Sequence, residues 1–578
     1  MKKHFLYDGL ILLDGAINHL KKKIFLIKEN SERNFLAITF NHRRFSLREI
    51  NNIRSEIENI DIDHMMFSIR PSYKVTEVKK FNFFSQIIFA IKVAQTHGIK
   101  KIFITDEYKT LIEKNKKNSL FRLNNYLKDI LKKSQKNKNE SLTFFKSINL
   151  DNIKEIEFME LPKPKKDSVP LKIYKDINHK NKNIFWLGFD RNFQEVPWTK
   201  PYEKDFWYSY SKKKRYSDPL FKKMKYCTRC CLPETWEGIK FDKVGICSIC
   251  KSSEDKMNIE WKNKEIILRK IFSSFKNKNY YDCLLPISGG KDSTFQSYVL
   301  TDKYKLNPLA VTHGQNWFSL TGRENLENCL NKFDLDHIFI CPSRNKINNV
   351  AKQSLEKIGD SCWHCHIGVG TFAIQISFDW KIGLIIYGEA PADTDARGSF
   401  KKNNEHVSVY RFLKESAIKN NTKFTSEAYN KKKLSNWSYP NGKELLKFNP
   451  KIIHLGQYIF WDEQKNVDFV SKHFGWKNTR VENTYKGYKS NECVMAGVHD
   501  YLNFLKRGIG RASVHASEDV RRGLITKEQG HELIKKFDMQ KPHALMYYKK
   551  ITGFNDNSIK KNILKARQKS KYARKFKY

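Results

Sequence analysis

Apolar and polar positions follow two rhythms along this chain. Short apolar runs bounded by turn residues stand at Phe35 to Phe40, Ile102 to Thr105, Leu284 to Ile287, Leu309 to Thr312, Ile338 to Cys341 and Leu384 to Tyr387. Runs of that length and apolarity suit strands buried on both faces. Between them lie stretches with helical spacing, such as Phe83 to His97, which leads into the run at Ile102. Apolar strands alternating with helices predict an α/β fold with a parallel sheet covered on both faces.

The rhythms change along the chain and predict four regions. Residues 1–220 carry strand and helix signals compatible with α/β but no chemical motif, so they form an N-terminal domain without a legible role. Within them, Lys132 to Ser141 and Pro162 to Pro170 read as connectors, and Trp186 to Tyr216 is rich in aromatic residues. Residues 221–260 hold a cysteine-rich module, 261–480 the clearest strand and helix alternation, and 481–578 a mainly helical region. The basic end, Lys560 to Tyr578, reads as a frayed tail.

Composition narrows the setting. No stretch approaches the roughly 18 apolar residues of a membrane span. The basic start Met1-Lys2-Lys3 precedes an apolar run broken by Asp8, with no small-residue cleavage site, so a signal peptide is not expected. A cytoplasmic protein is the expectation. The formal charge of +45 would suit nucleic acid, yet the lysines are spread over the whole chain rather than gathered on one motif. Nucleic acid is therefore an open but disfavoured partner. The 11 cysteines are odd in number and several form Cys-x-x-Cys pairs, which favours metal binding over disulfides.

Four motifs carry chemistry. Ser288-Gly289-Gly290-Lys291-Asp292-Ser293 follows an apolar strand and precedes a helical pattern from Thr294 to Leu300. Glycines let a backbone approach a ligand, and the free N–H groups of a first helical turn favour an anion. Asp292 would repel phosphate alone, so it is expected to orient the loop or help hold Mg2+. The spacing is not that of a Walker loop. Cys227-Thr228-Arg229-Cys230 and Cys247-Ser248-Ile249-Cys250 are two knuckles able to close one structural Zn2+ site. Cys362-Trp363-His364-Cys365-His366 is a second pair, with a metal or redox role as one reading and a packed, reduced pair as the other. Tyr387-Gly388-Glu389 follows a strand, where a carboxylate can face the ligand crevice, and Glu389 could bind Mg2+ or orient an acceptor.

The six-residue loop resembles the PP-loop of the ATP pyrophosphatase superfamily. That resemblance implies an adenine nucleotide α-hydrolase-like, doubly wound parallel sheet with ATP at the carboxyl ends of its strands. Taken in order, Tyr226 to Thr235, the PP-loop, the Gly-Glu-Ala-Pro turn, Gly508 to Ser513 and His515 to Gly523 resemble the N-acetyl-sugar amidotransferase family of lipopolysaccharide and flagellin-glycan biosynthesis. The resemblance covers about residues 222 to 545. It implies that ATP adenylates the acetamido oxygen of an N-acetyl sugar, nucleotide-linked or a nonulosonic acid, and that ammonia displaces AMP to leave an acetamidino sugar. It also implies separate glutaminase and cyclase-like subunits as the ammonia source. The resemblance implies that the loop, Ser288 to Ser293, would bind ATP, and Asp292, Glu389 and Arg511 are the candidate catalytic residues, Arg511 as a clamp on phosphate or a sugar carboxylate. Two other readings compete: a tRNA-modifying PP-loop enzyme, such as a thiolation enzyme or lysidine-type ligase, and a zinc-stabilised nucleic-acid binding module without ATP turnover.

Overall fold

The computed structural model describes residues 7, 9–13, 35–41, 50, 53, 57, 62–68, 83–104, 157–160, 224–314, 317–394, 400, 435–437 and 442–568. The segments Lys132 to Ser141, Pro162 to Pro170 and Trp186 to Tyr216 lie outside them.

Strands β1 (Gly9–Leu12), β2 (Phe35–Asn41), β3 (Asp63–Ser68), β4 (Lys101–Ile104) and β5 (Glu157–Glu160) come from the N-terminal block. Strands β6 (Cys283–Pro286), β7 (Pro308–His313), β8 (Asp336–Cys341), β9 (Leu384–Tyr387) and β10 (Lys451–His454) come from the central region. All join one ten-stranded sheet in the order β10-β9-β6-β7-β8-β3-β2-β1-β4-β5. Every neighbouring pair is parallel except β3 with β8. The fold is therefore α/β with a mostly parallel sheet. Its central strands are buried at every position, as β7 and β8 show, which is why they read as unbroken apolar runs.

Helices cover the two faces. In chain order they are α1 (Phe83–Thr96), α2 (Ser248–Met257), α3 (Trp261–Phe275), α4 (Lys291–Tyr298), α5 (Leu320–Lys332), α6 (Arg344–Ile358), α7 (Trp363–Trp380) and α8 (Glu463–Phe474). Side-chain caps start several of them: Ser319 accepts from the Gly322 N–H, Ser343 from Lys346, and Asp462 from Gln464 and Lys465. Helices α1 and α7 pack Phe89, Ile91, Phe372 and Ile376 on one face, while α3 and α5 pack Leu268, Phe272, Leu326 and Leu330 on the other.

The C-terminal region is helical: α9 (Ala496–Arg507), α10 (Arg511–Arg521), α11 (Lys527–Phe537), α12 (Ala544–Thr552) and α13 (Asp556–Gln568). Helix α13 corrects the frayed-tail expectation in part. Ile559 and Ile563 are each 3% exposed, and they pack with Tyr548 and Leu502. The lysines of this basic segment sit on a helix with one buried apolar stripe. Among the described residues, no helix is long and apolar enough to cross a membrane.

Candidate active site and cysteine centre

The apolar strand β6 runs into Ser288-Gly289-Gly290, and α4 begins at Lys291, three residues before the expected start. Gly289 has φ +81°, and a Cβ there would lie 2.4 Å from the Gly322 carbonyl oxygen and 2.7 Å from the Leu326 nitrogen. Only glycine satisfies both the left-handed turn and that approach to α5. The Gly289 carbonyl accepts from Trp476 Nε1 at 3.0 Å. Gly290 caps α4 without a side chain, and its carbonyl accepts from Ser293 Oγ and Thr294 Oγ1, both at 3.0 Å. The loop therefore points the first N–H groups of α4 outward from the end of β6, where an anion gains from both the groups and the helix dipole.

The sheet order turns back between β6 and β9, so Gly388 and Glu389 emerge beside this loop. A Cβ at Gly388 would lie 3.2 Å from the Asp292 carbonyl oxygen. Loop and turn line one cavity of about 910 Å³. It brings together Ser288, Gly290, Lys291, Asp292, Ser293, Glu389, Arg511, Cys362 and Cys365. Gly289, behind the loop, is not on its wall.

Charge at the loop is dense. Lys291 is buried and pairs with Asp292, with Glu463 Oε2 a further 3.8 Å away. Glu463 in turn lies 2.7 Å from Lys489, which also holds Glu518 at 2.8 Å. Glu389 is open to the cavity yet enclosed by protein, and that desolvation, with the Asp292 charge beside it, raises its carboxyl to about 7. Asp292 Oδ1 is buried with no hydrogen-bond partner among the described residues. Two neighbouring carboxylates, one with an unused buried oxygen, are a donor set that suits a hard divalent cation.

Arg511, the first residue of α10, gives Nε to Asp500 Oδ2 at 2.7 Å and Nη2 to Oδ1 at 3.2 Å. One side of its fork is thus already occupied by a protein carboxylate. The start of α10 is held by Asp538, which accepts from the N–H groups of Gly510, Ala512 and Ser513 at 3.1, 2.7 and 2.9 Å. Arg521 and Arg522 are not on the cavity wall.

Cys362 and Cys365 start α7 and line the far end of the cavity with Cys493. Burial raises the thiols of both Cys365 and Cys493, the second to about 12. Among the described residues the pair belongs to no tight set of three or more metal-ligand atoms.

The quartet does form such a set. The sulfurs of Cys227, Cys230, Cys247 and Cys250 lie within 4.8 Å of one another, all buried. Cys227 to Cys250 is 3.9 Å and Cys230 to Cys247 is 3.8 Å. Zinc bonded to four thiolates at about 2.3 Å in a tetrahedron separates the sulfurs by about 3.8 Å, so the cluster fits it. The Cys227 sulfur accepts N–H groups from Cys230 at 3.4 Å and Cys247 at 3.2 Å, as a knuckle requires. Gly245, φ +85°, makes the turn before the second knuckle. The four sulfurs stand outside the cavity, but Trp236 and Glu237 of the same module line it, and the module braces it. From α2, Ser252 Oγ donates to the Ala392 carbonyl at 2.9 Å and Lys256 Nζ pairs with Asp393, both just past Glu389.

Sequence reasoning missed Glu463, Tyr488, Lys489, Glu492, Cys493, His499 and Asp500 on the cavity wall. Only Asp462, a helix cap, marks the first of them in sequence, and the rest reach the cavity through the C-terminal packing.

No curated protein matches the chain. A family model does match its end, over residues 482–578, and its description is LPS biosynthesis protein WbpG-like, C-terminal domain. The helical region that carries Lys489, Asp500 and Arg511 to the cavity is therefore similar to the C-terminal domain of WbpG-like lipopolysaccharide-biosynthesis proteins.

Proposed function

We propose that the protein is an ATP-dependent amidotransferase that converts the acetamido group of an N-acetyl sugar to an acetamidino group for surface-glycan biosynthesis. The observation that carries this reading is the shared cavity of the Ser288 to Ser293 loop and Glu389, at the carboxyl ends of adjacent strands. Ligands of open α/β sheets bind at such a switch point. The match of the C-terminal region to an LPS biosynthesis family supports the glycan setting.

In this reading the loop N–H groups and Lys291 take the ATP phosphates. Asp292 and Glu389 would hold Mg2+, which neutralises phosphate charge. The acetamido oxygen attacks the α-phosphorus and pyrophosphate leaves. Ammonia then adds to the activated carbon, a proton is lost, and AMP leaves with the former amide oxygen. The chain's own part is to position the two reactants and exclude water. Ammonia would come from a separate glutaminase subunit with a cyclase-like partner. Cys227, Cys230, Cys247 and Cys250 hold Zn2+ as a brace for the Glu389 turn.

The test is incubation of the purified chain with ATP, Mg2+, ammonium chloride and a panel of N-acetylated nucleotide sugars and nonulosonic acids. AMP and pyrophosphate should appear in step with a sugar whose mass has fallen by the difference between O and NH. AMP release only on addition of tRNA would replace this reading by a tRNA-modifying one.

A further inference from the structure

The two halves of the sheet repeat each other. The order β3-β2-β1-β4-β5 matches β8-β7-β6-β9-β10 strand for strand. Registers agree as well: Leu10 pairs with Leu36 and Ile102, as Leu284 pairs with Leu309 and Ile385. Leu36 faces Asp63 as Leu309 faces Asp336.

Buried polar contacts repeat too. Tyr7 OH donates to Asp63 Oδ2 at 2.8 Å, and Tyr281 OH to Asp336 Oδ2 at 2.9 Å. Thr39 Oγ1 meets His64 Nε2 at 2.8 Å, and Thr312 Oγ1 meets His337 Nε2 at 2.8 Å. Helix α1 ends in left-handed Gly98 where α7 ends in left-handed Lys381.

Sequence follows the same correspondence. Residues 36–64 align with 309–337 without a gap. Leu36-Ala37, Thr39, Phe45-Ser46-Leu47, Asp61 and Asp63-His64 recur as Leu309-Ala310, Thr312, Phe318-Ser319-Leu320, Asp334 and Asp336-His337. Phe89-Ala90-Ile91 recurs as Phe372-Ala373-Ile374.

The halves meet through their equivalent strands. β3 and β8 run antiparallel, with Met66 opposite Phe339 at the centre. Antiparallel pairing of one strand with its own counterpart is the contact a two-fold dimer makes. Without it β8 would expose an apolar edge. Asp63 extends the joint: it accepts from the Ser343 N–H and from Lys346 Nζ, each at 2.7 Å, at the start of α6.

The loop is where the halves part. In line with Ser288-Gly289-Gly290-Lys291-Asp292-Ser293 the N-terminal sequence reads Asp14-Gly15-Ala16-Ile17-Asn18-His19. The lysine is replaced by isoleucine, and a carboxylate replaces the first serine. Asn18 stands where Asp292 does, so the segment keeps one carboxylate, now at Asp14, and has lost the cation that balanced it against phosphate.

We infer that the N-terminal block is a second, nucleotide-free copy of the central α/β unit, fused to it as the fixed partner of β8, so that the chain is a built-in dimer with a single ATP site. The count of sites rests on the ATP reading above; the partner role does not.

Two measurements on the full chain test this. The first is equilibrium binding of a non-hydrolysable ATP analogue to the wild-type chain and to Lys291→Ala. One analogue per chain, lost in Lys291→Ala and kept in Asn18→Ala, is expected. Two per chain, or binding that survives Lys291→Ala and is lost in Asn18→Ala, overturns the single site. The second is hydrogen exchange of the β3 and β8 amides. Slow exchange of both strands, at rates like those of β7, is expected. Fast, edge-like exchange of β8 overturns the partner role. If the wild-type chain binds no analogue, the ATP reading fails, while the exchange data still decide the partner role.

Discussion

Glu389, desolvated by the protein around the cavity, also stands close enough to Asp292 that the neighbouring charge adds to the rise of its carboxyl, to about 7. Asp292 opens α4 after the loop that follows β6, and Glu389 follows the adjacent strand β9, so the strand order brings the two carboxylates together. A bound divalent cation would relieve their repulsion.

That relationship sets a pH dependence. The folded state binds a proton at Glu389 up to about pH 7, whereas the unfolded chain releases it near the ordinary 4.5. Between those values the native state holds more protons, so stability contributed by this group falls as pH rises through the window. Thermal melts of the metal-free protein should show this slope, Glu389→Gln should flatten it, and Mg2+ should raise the melting temperature more at pH 8 than at pH 6. An unchanged slope in Glu389→Gln would count against the assignment.

Gly289→Ala should be costly. The new Cβ meets the Gly322 carbonyl at 2.4 Å and the residue must hold φ +81°. Strain of about 1–3 kcal/mol is expected, read from denaturant melts, with AMP formation falling at least as sharply as stability. Full activity in this variant would contradict the loop's role.

The quartet should carry one zinc per chain. Metal analysis should find it, and Cys247→Ser should lose it together with a clear drop in melting temperature, since metal binding energy is folding energy in such modules. Because α2 clamps the turn after Glu389, weaker Mg2+ binding should accompany zinc loss. A zinc-free chain with unaltered melting would refute the structural role.

Asp500→Ala should strand the Arg511 guanidinium. Breaking a buried pair costs about 3–5 kcal/mol, but Arg511 keeps 21% of its side chain exposed, so about 2–3 kcal/mol is the expected loss. Urea unfolding gives the value. Restoration by Asp500→Glu and not by Asp500→Asn would assign the effect to charge.

Much of the central region was legible. The runs at Leu284, Leu309, Ile338 and Leu384 are strands because full burial demands unbroken apolar residues. The loop and Glu389 were readable because glycines and a carboxylate after an apolar strand have few other uses. β3 was hidden by its buried polar start, Asp63-His64, whose partners Tyr7 and Thr39 lie far off in sequence. The internal copy escaped because its loop lost the residues a motif search recognises. Glu463 and Lys489 look like surface charges in sequence, and only packing of α8 and the C-terminal region pairs them at the cavity.

The most direct test of the central claim follows the amide oxygen. An N-acetyl sugar with a heavy-oxygen label in its acetamido group is turned over with ATP, Mg2+ and ammonia. If the acetamido oxygen attacks the α-phosphorus, the label leaves in AMP, and the acetamidino sugar carries none of it at that carbon. Label remaining in the sugar, or appearing in inorganic phosphate, would contradict adenylation of the amide.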